Sequence, residues 1–507
     1  MLNPVSIPSF LAPLASDIEY TAEDELIISL ICRTDSYKFT HPFMFKELNK
    51  RAGKGRVVGM SSYGEARVSK DHSITPFGMQ MLLMKYFSKP VTMAHIDFAE
   101  KFVRAHFGRD LFARPEWEKV VKVYGGFPPL IVRGLPEGTV TTGGMPLYTN
   151  TVIDEDLFWM SSGFETIMLR GNWYTTTIAS LDRETKVELK RMYEISGAPL
   201  EMLPFALHDF GGRGVTCGEQ AEVGGAAHTV NFMGSDTVEG ILAANFYYEC
   251  EMSAFSVFAT EHSVECSFGL DEEGEGDYIR AILANASPGS IVSIVIDGKD
   301  ARRCARRLCA PEAEGGFREA IIASQAKVVF RPDSGDMFEI VPWILRLQDE
   351  SFGHTVNDKG YKVINNVGII QGDGVDRLNM LTLTGNILAM GYAAHSVVFG
   401  SGGALLQKVD RDTKKFAQKG SAILVRYDDG TERWIGISKD PVTDPGKRSK
   451  EGVMTVLRNK ATGELSVGRL DLGFDEAMYE DAHILQYHTG RLFNKATMDA
   501  VRGRSAV

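Results

Sequence analysis

The sequence has no apolar run long enough to cross a bilayer, and no Lys or Arg precedes Arg33, so the basic start of a secretory signal is missing. Its 6 cysteines, spread over 507 residues, include no CxxC pair. Such sparse and unpaired thiols exclude a disulfide framework and a zinc knuckle. We therefore expect reduced thiols in a soluble, cytoplasmic protein that does not associate with a membrane.

Positive charge is also in deficit, because 55 Lys and Arg stand against 66 Asp and Glu, which gives a formal net charge of −11. This balance argues against nucleic acid or an anionic membrane as the main partner. Basic residues nevertheless concentrate late in the chain, an arrangement that suits a small phosphorylated ligand; they are Lys408, Arg411, Lys414, Lys415, Lys419, Lys447, Arg448 and Lys450. Lys414 and Lys415 would also suit a solvated helix face.

One pattern recurs four times in the second half of the chain: a short apolar run ends in a polar or glycine-rich tip, and a helical stretch follows. The apolar runs are Ser290–Ile296, Lys327–Phe330, Val367–Ile370 and Ser396–Phe399. Strands that alternate with helices predict a parallel sheet or barrel. Since ligands bind at the carboxyl ends of such strands, the four tips predict an active site.

The predicted layout is discontinuous. Residues 1–26 are expected to form a loose arm, and residues 181–410 a βα-barrel-like catalytic domain. Residues 27–180 and 411–507 together would form a flanking, sheet-containing α+β domain, so the fold class is α/β. Within the first part, the apolar run Ile27–Ile31 predicts a strand, and two separate helices are expected near Phe158–Leu169 and Leu181–Ser196.

The run Leu207–Gly214 reads LHDFGGRG and mixes an imidazole, a carboxylate, an aromatic ring, a guanidinium and three glycines. Glycine destabilises both helices and strands, so the run predicts a loop whose backbone comes close to a ligand. Phe210 offers a face on which a flat heterocycle could stack. Taken alone, the same run would suit a tight turn, and a lone Phe is more often a core residue.

Carboxylates and glycines occupy the strand tips. Asp297, Asp333 and Asp373 have the oxygen ligands for ribose hydroxyls or Mg²⁺, although aspartates also cap helices. The tip Gly400–Gly403 would present backbone N–H groups to a phosphate, although the sequence contains neither GxxxxGK[ST] nor GxGxxG. His262 is a candidate for acid–base or phosphoacceptor chemistry, with a structural role as the alternative. Together these residues favour an enzyme acting on a phosphorylated sugar and an aromatic base.

Eight motifs, in this order along the chain, resemble those of the nicotinamide phosphoribosyltransferases, which belong to the type II phosphoribosyltransferase family. They are TDSYKFTH (Thr34–His41), HDFGGRG (His208–Gly214), GSDTV (Gly234–Val238), EHS (Glu261–Ser263), RPDSG (Arg331–Gly335), QGDGVD (Gln371–Asp376), FGSGG (Phe399–Gly403) and the Asp- and Lys-rich Asp440–Lys450. The resemblance runs from about residue 27 to beyond residue 450, which is nearly the whole chain, and only the N-terminal arm and the far tail lie outside it.

The resemblance implies transfer of a phosphoribosyl group from phosphoribosyl pyrophosphate to the pyridine nitrogen of nicotinamide, a step of NAD salvage that gives nicotinamide mononucleotide and pyrophosphate. It also implies a base stacked between Phe210 and the partner subunit's Tyr37, and therefore a homodimer with Asp35 at the seam between subunits. Asp236 would accept a hydrogen bond from the carboxamide and repel the carboxylate of nicotinate, unless it is only a helix cap.

The same resemblance assigns the remaining site residues. The catalytic group would be His262, Asp333, Arg331 and Asp297, with Arg331 also at the nicotinamide and with Asp297 and Asp333 near Mg²⁺. The phosphoribosyl and phosphate groups would be bound by Arg213, Gly372, Asp373, Gly402, Gly403, Arg67, Arg411, Lys419, Lys439 and Lys447. ATP would be a co-substrate that phosphorylates His262 and so stimulates the reaction.

Two positions depart from the motifs of the animal members: Gly212 replaces a Tyr, and Ala417 replaces a Ser near the phosphates. We expect altered affinity for the base or for pyrophosphate, and retained activity. A nicotinate phosphoribosyltransferase is the closest competing interpretation, and Asp236 disfavours it. The retained His262, Arg331 and Asp333 disfavour a binding protein without turnover, and the ordered motifs disfavour a generic sugar-phosphate barrel enzyme.

Overall fold

The computed structural model describes residues 29–51, 55–443 and 448–507. The predicted arm at residues 1–26, the first two residues of the predicted strand Ile27–Ile31 and the candidate phosphate ligand Lys447 therefore lie outside the described residues. No helix in the described part of the chain is long and apolar enough to cross a membrane.

The strands, numbered in chain order, are β1 Gly55–Ala66, β2 Ser73–Ile74, β3 Leu130–Gly134, β4 Thr141–Thr142, β5 Pro146–Ile153, β6 Leu207–Asp209, β7 Gly234–Ser235, β8 Phe258–Ala259, β9 Ile291–Val295, β10 Lys327–Arg331, β11 His354–Val356, β12 Lys362–Ile364, β13 Val367–Gln371, β14 Val397–Ser401, β15 Phe416–Tyr427, β16 Glu432–Gly436, β17 Met454–Asn459, β18 Leu465–Arg469, β19 Tyr479–Asp481, β20 Ile484–His488 and β21 Arg491–Leu492. The α-helices are His41–Arg51, Met79–Leu82, Met93–Phe107, Arg114–Tyr124, Met160–Gly163, Glu165–Ser196, Gly218–His228, Val238–Tyr247, His262–Phe268, Glu272–Leu283, Ala301–Cys309, Arg318–Ser324, Met337–Phe352, Arg377–Ala389, Gly403–Leu406 and Met498–Ser505.

A seven-stranded sheet in the order β7-β6-β14-β13-β10-β9-β8 occupies the middle of the chain. All of its strand pairs are parallel. Its two edges approach each other, because Gly234 of β7 forms a parallel bridge with Phe255, just before β8. The predicted α/β fold with a barrel-like parallel sheet is therefore confirmed.

The parallel sheet is buried on both faces, as its crossover helices require. On one face Ile294, Phe330 and Ile369 are each at most 1% exposed, and on the other Val295 is 0% and Val329 8% exposed. Burying such a side chain stabilises the folded state by about 1.5–3 kcal/mol, so the core holds the strands in their observed register. Because parallel strands end on the same side, the polar residues that follow them lie at a common edge of the sheet.

The second large sheet draws strands from both halves of the chain. Its order is β16-β15-β1-β5-β3-β20-β21, and its strand pairs are antiparallel. Gly55–Ala66 lies between Pro146–Ile153 and Phe416–Tyr427, so the N-terminal region and the C-terminal tail share one sheet. This agrees with the predicted discontinuous layout, whereas the boundaries at residues 180 and 411 stay a prediction.

Two local predictions are wrong. A single 32-residue helix, Glu165–Ser196, replaces the two helices expected there. Hydroxyls in its threonine-rich middle bond back to the preceding turn, as Thr177 does to the Trp173 carbonyl at 2.6 Å, and the helix stays continuous because these residues are buried by tertiary packing. Leu30–Cys32 forms a 3₁₀ turn and not the end of a strand, since the Ser29 hydroxyl accepts the Ile31 N–H.

Candidate active site

The carboxyl ends of the parallel strands bring most of the predicted site residues to one edge. Phe210 follows β6, Asp236 follows β7, Asp297 follows β9 and Arg331 ends β10. Residues 372 and 373 follow β13, residues 402 and 403 follow β14, and His262 begins the helix after β8. This edge is where parallel α/β sheets bind ligands.

The Phe210 ring lies over glycines of two neighbouring strand ends. A Cβ atom on Gly400 would lie 2.0 Å from the ring, and one on Gly372 would lie 3.4 Å from it. The Phe210 N–H donates to the Ser401 carbonyl at 2.9 Å, which fixes the residue to β14. The backbone of Gly400 and Gly372 thus comes close to the Phe210 ring, whereas the predicted approach of the Leu207–Gly214 backbone to a ligand stays a prediction. The loop itself begins later than predicted, because Leu207–Asp209 forms β6.

Gly212 follows Phe210 by two residues, in a 3₁₀ turn that spans Gly211–Arg213. A Cβ atom at Gly212 would lie 3.3 Å from the Thr237 hydroxyl, so a larger residue at this position would make a tight contact with Thr237. Arg213, at the end of the turn, is exposed to solvent. Gly214 packs against the other glycine-rich tip, since its Cβ would meet the Gly403 Cα at 2.8 Å.

Asp236 presents a carboxylate that does not cap a helix. Its backbone N–H donates to the Asp209 carbonyl at 2.9 Å, and its carboxylate accepts a hydrogen bond from Ser256. The N-cap of the following helix is Thr237, whose side chain makes no capping bond. The side chain of Asp236 is exposed, so the helix-cap alternative is not supported.

His208 is the ionisable neighbour of Asp236 on β6. Burial lowers the pKa of His208 to about 4, although the charge of Asp236 opposes that shift. The imidazole is therefore neutral near pH 7 and supplies no positive charge to a ligand that faces Asp236.

His262 lies between two carboxylates. Its Nε2 is 2.9 Å from Asp297 Oδ1, and its Nδ1 is 3.9 Å from Asp333 Oδ2. Asp297 is 4% exposed at its side chain and also accepts a hydrogen bond from the Ser334 hydroxyl, whereas the His262 side chain is 43% exposed. A proton on Nε2, donated to Asp297, leaves the lone pair of Nδ1 available to an electrophile.

Arg331 and Asp333 flank that histidine. Arg331 Nη2 donates to the Thr260 carbonyl at 2.6 Å. Burial raises the pKa of the Asp333 carboxyl; the Arg331 guanidinium opposes the shift, and the Asp297 and Asp373 carboxylates add to it. The carboxylates of Asp297, Asp333 and Asp373 therefore repel one another, and a divalent cation would reduce this repulsion.

These carboxylates do not form a complete metal cage. No group of three or more His, Cys, Asp or Glu side chains in the described ranges is arranged to hold a metal ion. Mg²⁺ commonly uses one or two carboxylates together with water and substrate phosphates, so Asp297 and Asp333 fit that mode of binding. The predicted Mg²⁺ site stays a prediction.

The glycine-rich tips offer open backbone. Gly402 precedes the short helix Gly403–Leu406, and a Cβ atom on Gly403 would meet nothing within 4 Å. Gln371 donates to the Asp373 carbonyl at 2.9 Å, which shapes the tip after β13. Asp373 itself is exposed. Exposed N–H groups and no side chain between them are what a phosphate site needs.

The predicted basic residues lie on the antiparallel sheet and its connections. Arg67 Nε donates to Glu65 Oε1 at 3.1 Å, and Lys419 Nζ donates to the Gln418 carbonyl at 2.7 Å. Burial lowers the pKa of Lys419, and the positive charges of Arg67, Lys38 and Lys439 lower it further. Such mutual repulsion between cations is relieved by a bound anion.

Two other basic residues have different surroundings. Arg411 is exposed and pairs with Asp412 at 3.1 Å. Lys414 is 3% exposed and pairs with Glu184 at 2.8 Å, so the solvated helix face expected for it is wrong. Residue 417, where Ala replaces Ser, lies on β15 between Phe416 and Gln418.

Tyr37 and Asp35 are linked to one of the basic residues through Glu165, which pairs with Lys38 at 2.6 Å and lies 3.8 Å from Lys419. Tyr37 is 57% exposed although it is aromatic, and Asp35 accepts the Thr166 hydroxyl hydrogen at 2.6 Å. In the described part of the chain, no hydrogen bond or ion pair joins Asp35, Tyr37, Arg67, Arg411, Lys419 or Lys439 to the site residues on the parallel sheet. The predicted site residues therefore form two groups within one chain.

Sequence reasoning missed a buried pair that holds β7. His228 Nδ1 lies 2.7 Å from Asp182 Oδ2, and its Nε2 lies 3.1 Å from the Gly234 carbonyl. Both side chains are at most 3% exposed. The only signal in the sequence is a polar residue at a buried position of each helix, and it does not reveal that the two side chains meet.

Comparison with known proteins identifies the family. Residues 205–475 match the model of the nicotinate phosphoribosyltransferase (NAPRTase) family, and residues 29–132 match the N-terminal domain of nicotinamide phosphoribosyltransferase. A nicotinamide phosphoribosyltransferase of Xanthomonas campestris is 40% identical over 94% of this chain and 98% of its own. One from Acinetobacter baylyi is 31% identical over 75% of this chain and 77% of its own.

Solved structures support the fold at lower identity. Nicotinate-nucleotide pyrophosphorylase from Pyrococcus furiosus aligns with a TM-score of 0.56 at 14% identity, covering 96% of this chain and 97% of that one. Human nicotinic acid phosphoribosyltransferase aligns with a TM-score of 0.51 at 14% identity, covering 93% and 92%. The parallel sheet, the motifs at its carboxyl edge and the match along most of the chain agree, and the chain belongs to the nicotinamide phosphoribosyltransferases within the NAPRTase family.

Proposed function

We propose that this protein transfers the phosphoribosyl group of phosphoribosyl pyrophosphate to nicotinamide, forming nicotinamide mononucleotide and pyrophosphate for NAD synthesis. The observation that carries the choice of base is the exposed carboxylate of Asp236 beside the end of β6, where Phe210 stands. A flat ring stacked on Phe210 would meet a hydrogen-bond acceptor. Nicotinamide has an NH₂ group to donate, whereas the carboxylate of nicotinate would be repelled.

The size of that repulsion supports the choice. Two like charges about 4 Å apart cost about 4 kcal/mol at an effective dielectric constant of about 20. Because His208 is neutral near pH 7, it does not offset the repulsion. We therefore place nicotinate as the disfavoured substrate.

The transfer needs no general base, because the pyridine nitrogen already carries a lone pair. Positive charge would develop on the ribose carbon as pyrophosphate leaves, and the carboxylates of Asp297, Asp333 and Asp373 would stabilise it. Mg²⁺ held by Asp297 and Asp333 would supply charge neutralisation for pyrophosphate. The open backbone at Gly402 and Gly403 would bind the ribose phosphate.

ATP stimulation through His262 is part of this proposal. The Asp297 contact orients Nε2, and Nδ1 of the partly exposed imidazole would be the nitrogen that accepts the phosphoryl group. Phosphorylation of Nδ1 would add negative charge next to Asp333, where a divalent cation and basic residues would be needed to balance it.

A homodimer would unite the two groups of site residues. Tyr37 and the basic residues Arg67, Arg411, Lys419 and Lys439 would reach the parallel-sheet edge of the partner subunit. The exposed Tyr37 ring supports this arrangement, because a large aromatic side chain in solvent is a common feature of an interface.

The test is product formation with Mg²⁺ and phosphoribosyl pyrophosphate, comparing nicotinamide with nicotinate, each with and without ATP. We expect turnover of nicotinamide only. In Asp236→Asn the nicotinamide preference, as the ratio of kcat/KM values, should fall at least tenfold, since removing the charge removes the repulsion. Glu239→Gln is the matched control, because Glu239 is also an exposed carboxylate and lies in the first turn of the helix that follows Asp236.

Two outcomes would contradict the proposal. Preference of the wild-type protein for nicotinate would mean that Asp236 does not select the base. Turnover of neither base would favour a binding protein or a different acceptor.

A further inference from the structure

A buried tyrosine lies directly beneath the candidate active site. Tyr278, in the helix Glu272–Leu283, is 0% exposed. Its hydroxyl oxygen is 2.6 Å from Thr260 Oγ1 and 3.0 Å from the Val295 carbonyl oxygen. The Val295 N–H in turn donates to Thr260 Oγ1 at 3.1 Å.

The donors and acceptors admit one consistent arrangement. A carbonyl can only accept, so the single phenolic proton of Tyr278 goes to Val295. The Thr260 hydroxyl then donates to the Tyr278 oxygen and accepts the Val295 N–H. Each of these three donors is used once, so the three hydrogen bonds form a closed ring. We call Tyr278, Thr260 and Val295 the hydrogen-bonded ring.

The ring is connected to three of the four residues assigned to catalysis. The Thr260 carbonyl accepts the 2.6 Å hydrogen bond from Arg331 Nη2. Thr260 lies two residues before His262, and Val295 lies two residues before Asp297. The positions of the guanidinium, the imidazole and the carboxylate thus depend on the same small set of bonds.

The position of the Arg331 guanidinium depends mainly on its hydrogen bond to the Thr260 carbonyl. Its Nε is buried and has no hydrogen-bond partner among the described residues, and the bond to Thr260 is the one hydrogen bond that its side chain makes there. A guanidinium held at one end can turn about that contact. Small displacements at the ring would therefore change where the other end of the guanidinium meets a ligand.

We propose that Tyr278 and Thr260 are positioning residues for phosphoribosyl transfer, which hold Arg331, His262 and Asp297 at their working separations through the hydrogen-bonded ring. The proposal rests on the proposed function. Neither residue touches the substrate in this assignment. They act because transfer between bound groups loses rate steeply when a reacting or binding group moves by about 1 Å.

The test uses variants that remove one hydroxyl and keep the shape. Tyr278→Phe and Thr260→Val should each lower kcat/KM for phosphoribosyl pyrophosphate by roughly tenfold. The assays are run well below the melting temperature of each variant, so that unfolding does not cause the loss. Thr260→Ser keeps the hydroxyl and should stay near the wild-type value. The double variant Tyr278→Phe, Thr260→Val should be no worse than about the poorer single variant, because both break the same ring.

Tyr193→Phe is the matched control. Tyr193 is 1% exposed and belongs to the same hydrophobic core as Tyr278, and its hydroxyl has no hydrogen-bond partner among the described residues. Its replacement also deletes a buried phenolic oxygen but breaks no bond of the ring. We expect its kcat/KM to match the wild type.

The outcomes separate the two proposals. If the wild-type protein turns over nicotinamide and Tyr278→Phe behaves like Tyr193→Phe, the positioning role is overturned and the proposed function stands. Additive losses in the double variant would also overturn it, because the two hydroxyls would then act independently. A wild-type protein without turnover would overturn the proposed function, and the positioning role with it.

Discussion

His262 Nε2 lies 2.9 Å from the nearly buried carboxylate of Asp297, and the two residues come from the ends of adjacent parallel strands. The contact holds the proton on Nε2 and leaves the lone pair of Nδ1, which lies 3.9 Å from Asp333 Oδ2, without a proton. A buried carboxylate beside an exposed imidazole is a common way to prepare a histidine for nucleophilic attack. The geometry therefore links this pair to the proposed phosphohistidine.

Removing the charge of Asp297 should impair the ATP effect. In Asp297→Asn we expect ATP stimulation and ATP-dependent phosphorylation of His262 to fall roughly tenfold or more, because a hydrogen bond to a charged group contributes about 1.5–3 kcal/mol. Phosphohistidine detected by mass spectrometry is the direct measurement. Ser334→Ala is the control, since it removes the other side-chain hydrogen bond to Asp297 and leaves its charge. Undiminished phosphorylation in Asp297→Asn would refute the role of this pair.

Gly400 should be indispensable to the base site. In Gly400→Ala the new methyl group would lie 2.0 Å from the Phe210 ring, so the ring must move. We expect the KM for nicotinamide to rise at least tenfold, which steady-state kinetics measures. In Gly385→Ala the methyl group would meet nothing within 4 Å, and the change should leave KM unaltered while stabilising its helix by about 1 kcal/mol. A normal KM in Gly400→Ala would mean that Phe210 is not the stacking surface.

The parallel sheet could be predicted because its strands are short apolar runs with tips of a distinct composition. The run Lys327–Phe330 predicts β10 to within one residue, since Val328 and Phe330 are buried on one face of the sheet and Val329 on the other. The tips also predict which residues share an edge, because parallel strands end on the same side. The resemblance to the family then assigned roles that composition alone left open.

The contacts between distant residues could not be predicted in the same way. The bond from Thr260 to Arg331 joins residues 71 positions apart, and the bond from Asp182 to His228 joins two helices. Neither pair has a local pattern, because a buried polar residue has no fixed spacing to its partner. The unbroken helix Glu165–Ser196 was missed for a related reason, since its β-branched threonines weaken the helical pattern that tertiary packing restores.

A dimeric active site predicts recovery of activity when two inactive variants are combined. Arg331→Ala damages the parallel-sheet group, and Tyr37→Ala damages the other group. When they are co-expressed, about half of the dimers are mixed, and each mixed dimer has one intact site. We expect each variant alone to be nearly inactive and the mixture to recover about a quarter of wild-type turnover.

The control for this experiment combines two variants of one group. Arg331→Ala with Asp333→Ala leaves one defect in every site, so no recovery is expected. If the combination of Arg331→Ala with Tyr37→Ala also shows no recovery, Tyr37 and Arg331 act within the same subunit, and the shared site is refuted.

Glu265 predicts a dependence of stability on pH. It is 3% exposed, and its Oε2 has no hydrogen-bond partner among the described residues. Burial raises the pKa of Glu265 from 4.5 to about 7. The folded state therefore holds this proton more tightly than the unfolded state does. The stability that the proton provides is fully present below pH 4.5 and is lost as pH rises to about 7.

Glu265→Gln should remove this loss, because an amide stays neutral. We expect the variant to melt close to the wild-type temperature near pH 5 and several degrees above it near pH 8, measured by thermal unfolding at both values. Glu275→Gln is the matched control: Glu275 is 4% exposed but pairs with Arg303 at 2.7 Å and Arg307 at 3.3 Å. That variant should be destabilised at both values, because two cations lose their partner. A lower melting temperature for Glu265→Gln near pH 8 would show that the Glu265 carboxylate is stabilised by its surroundings in the ionised form.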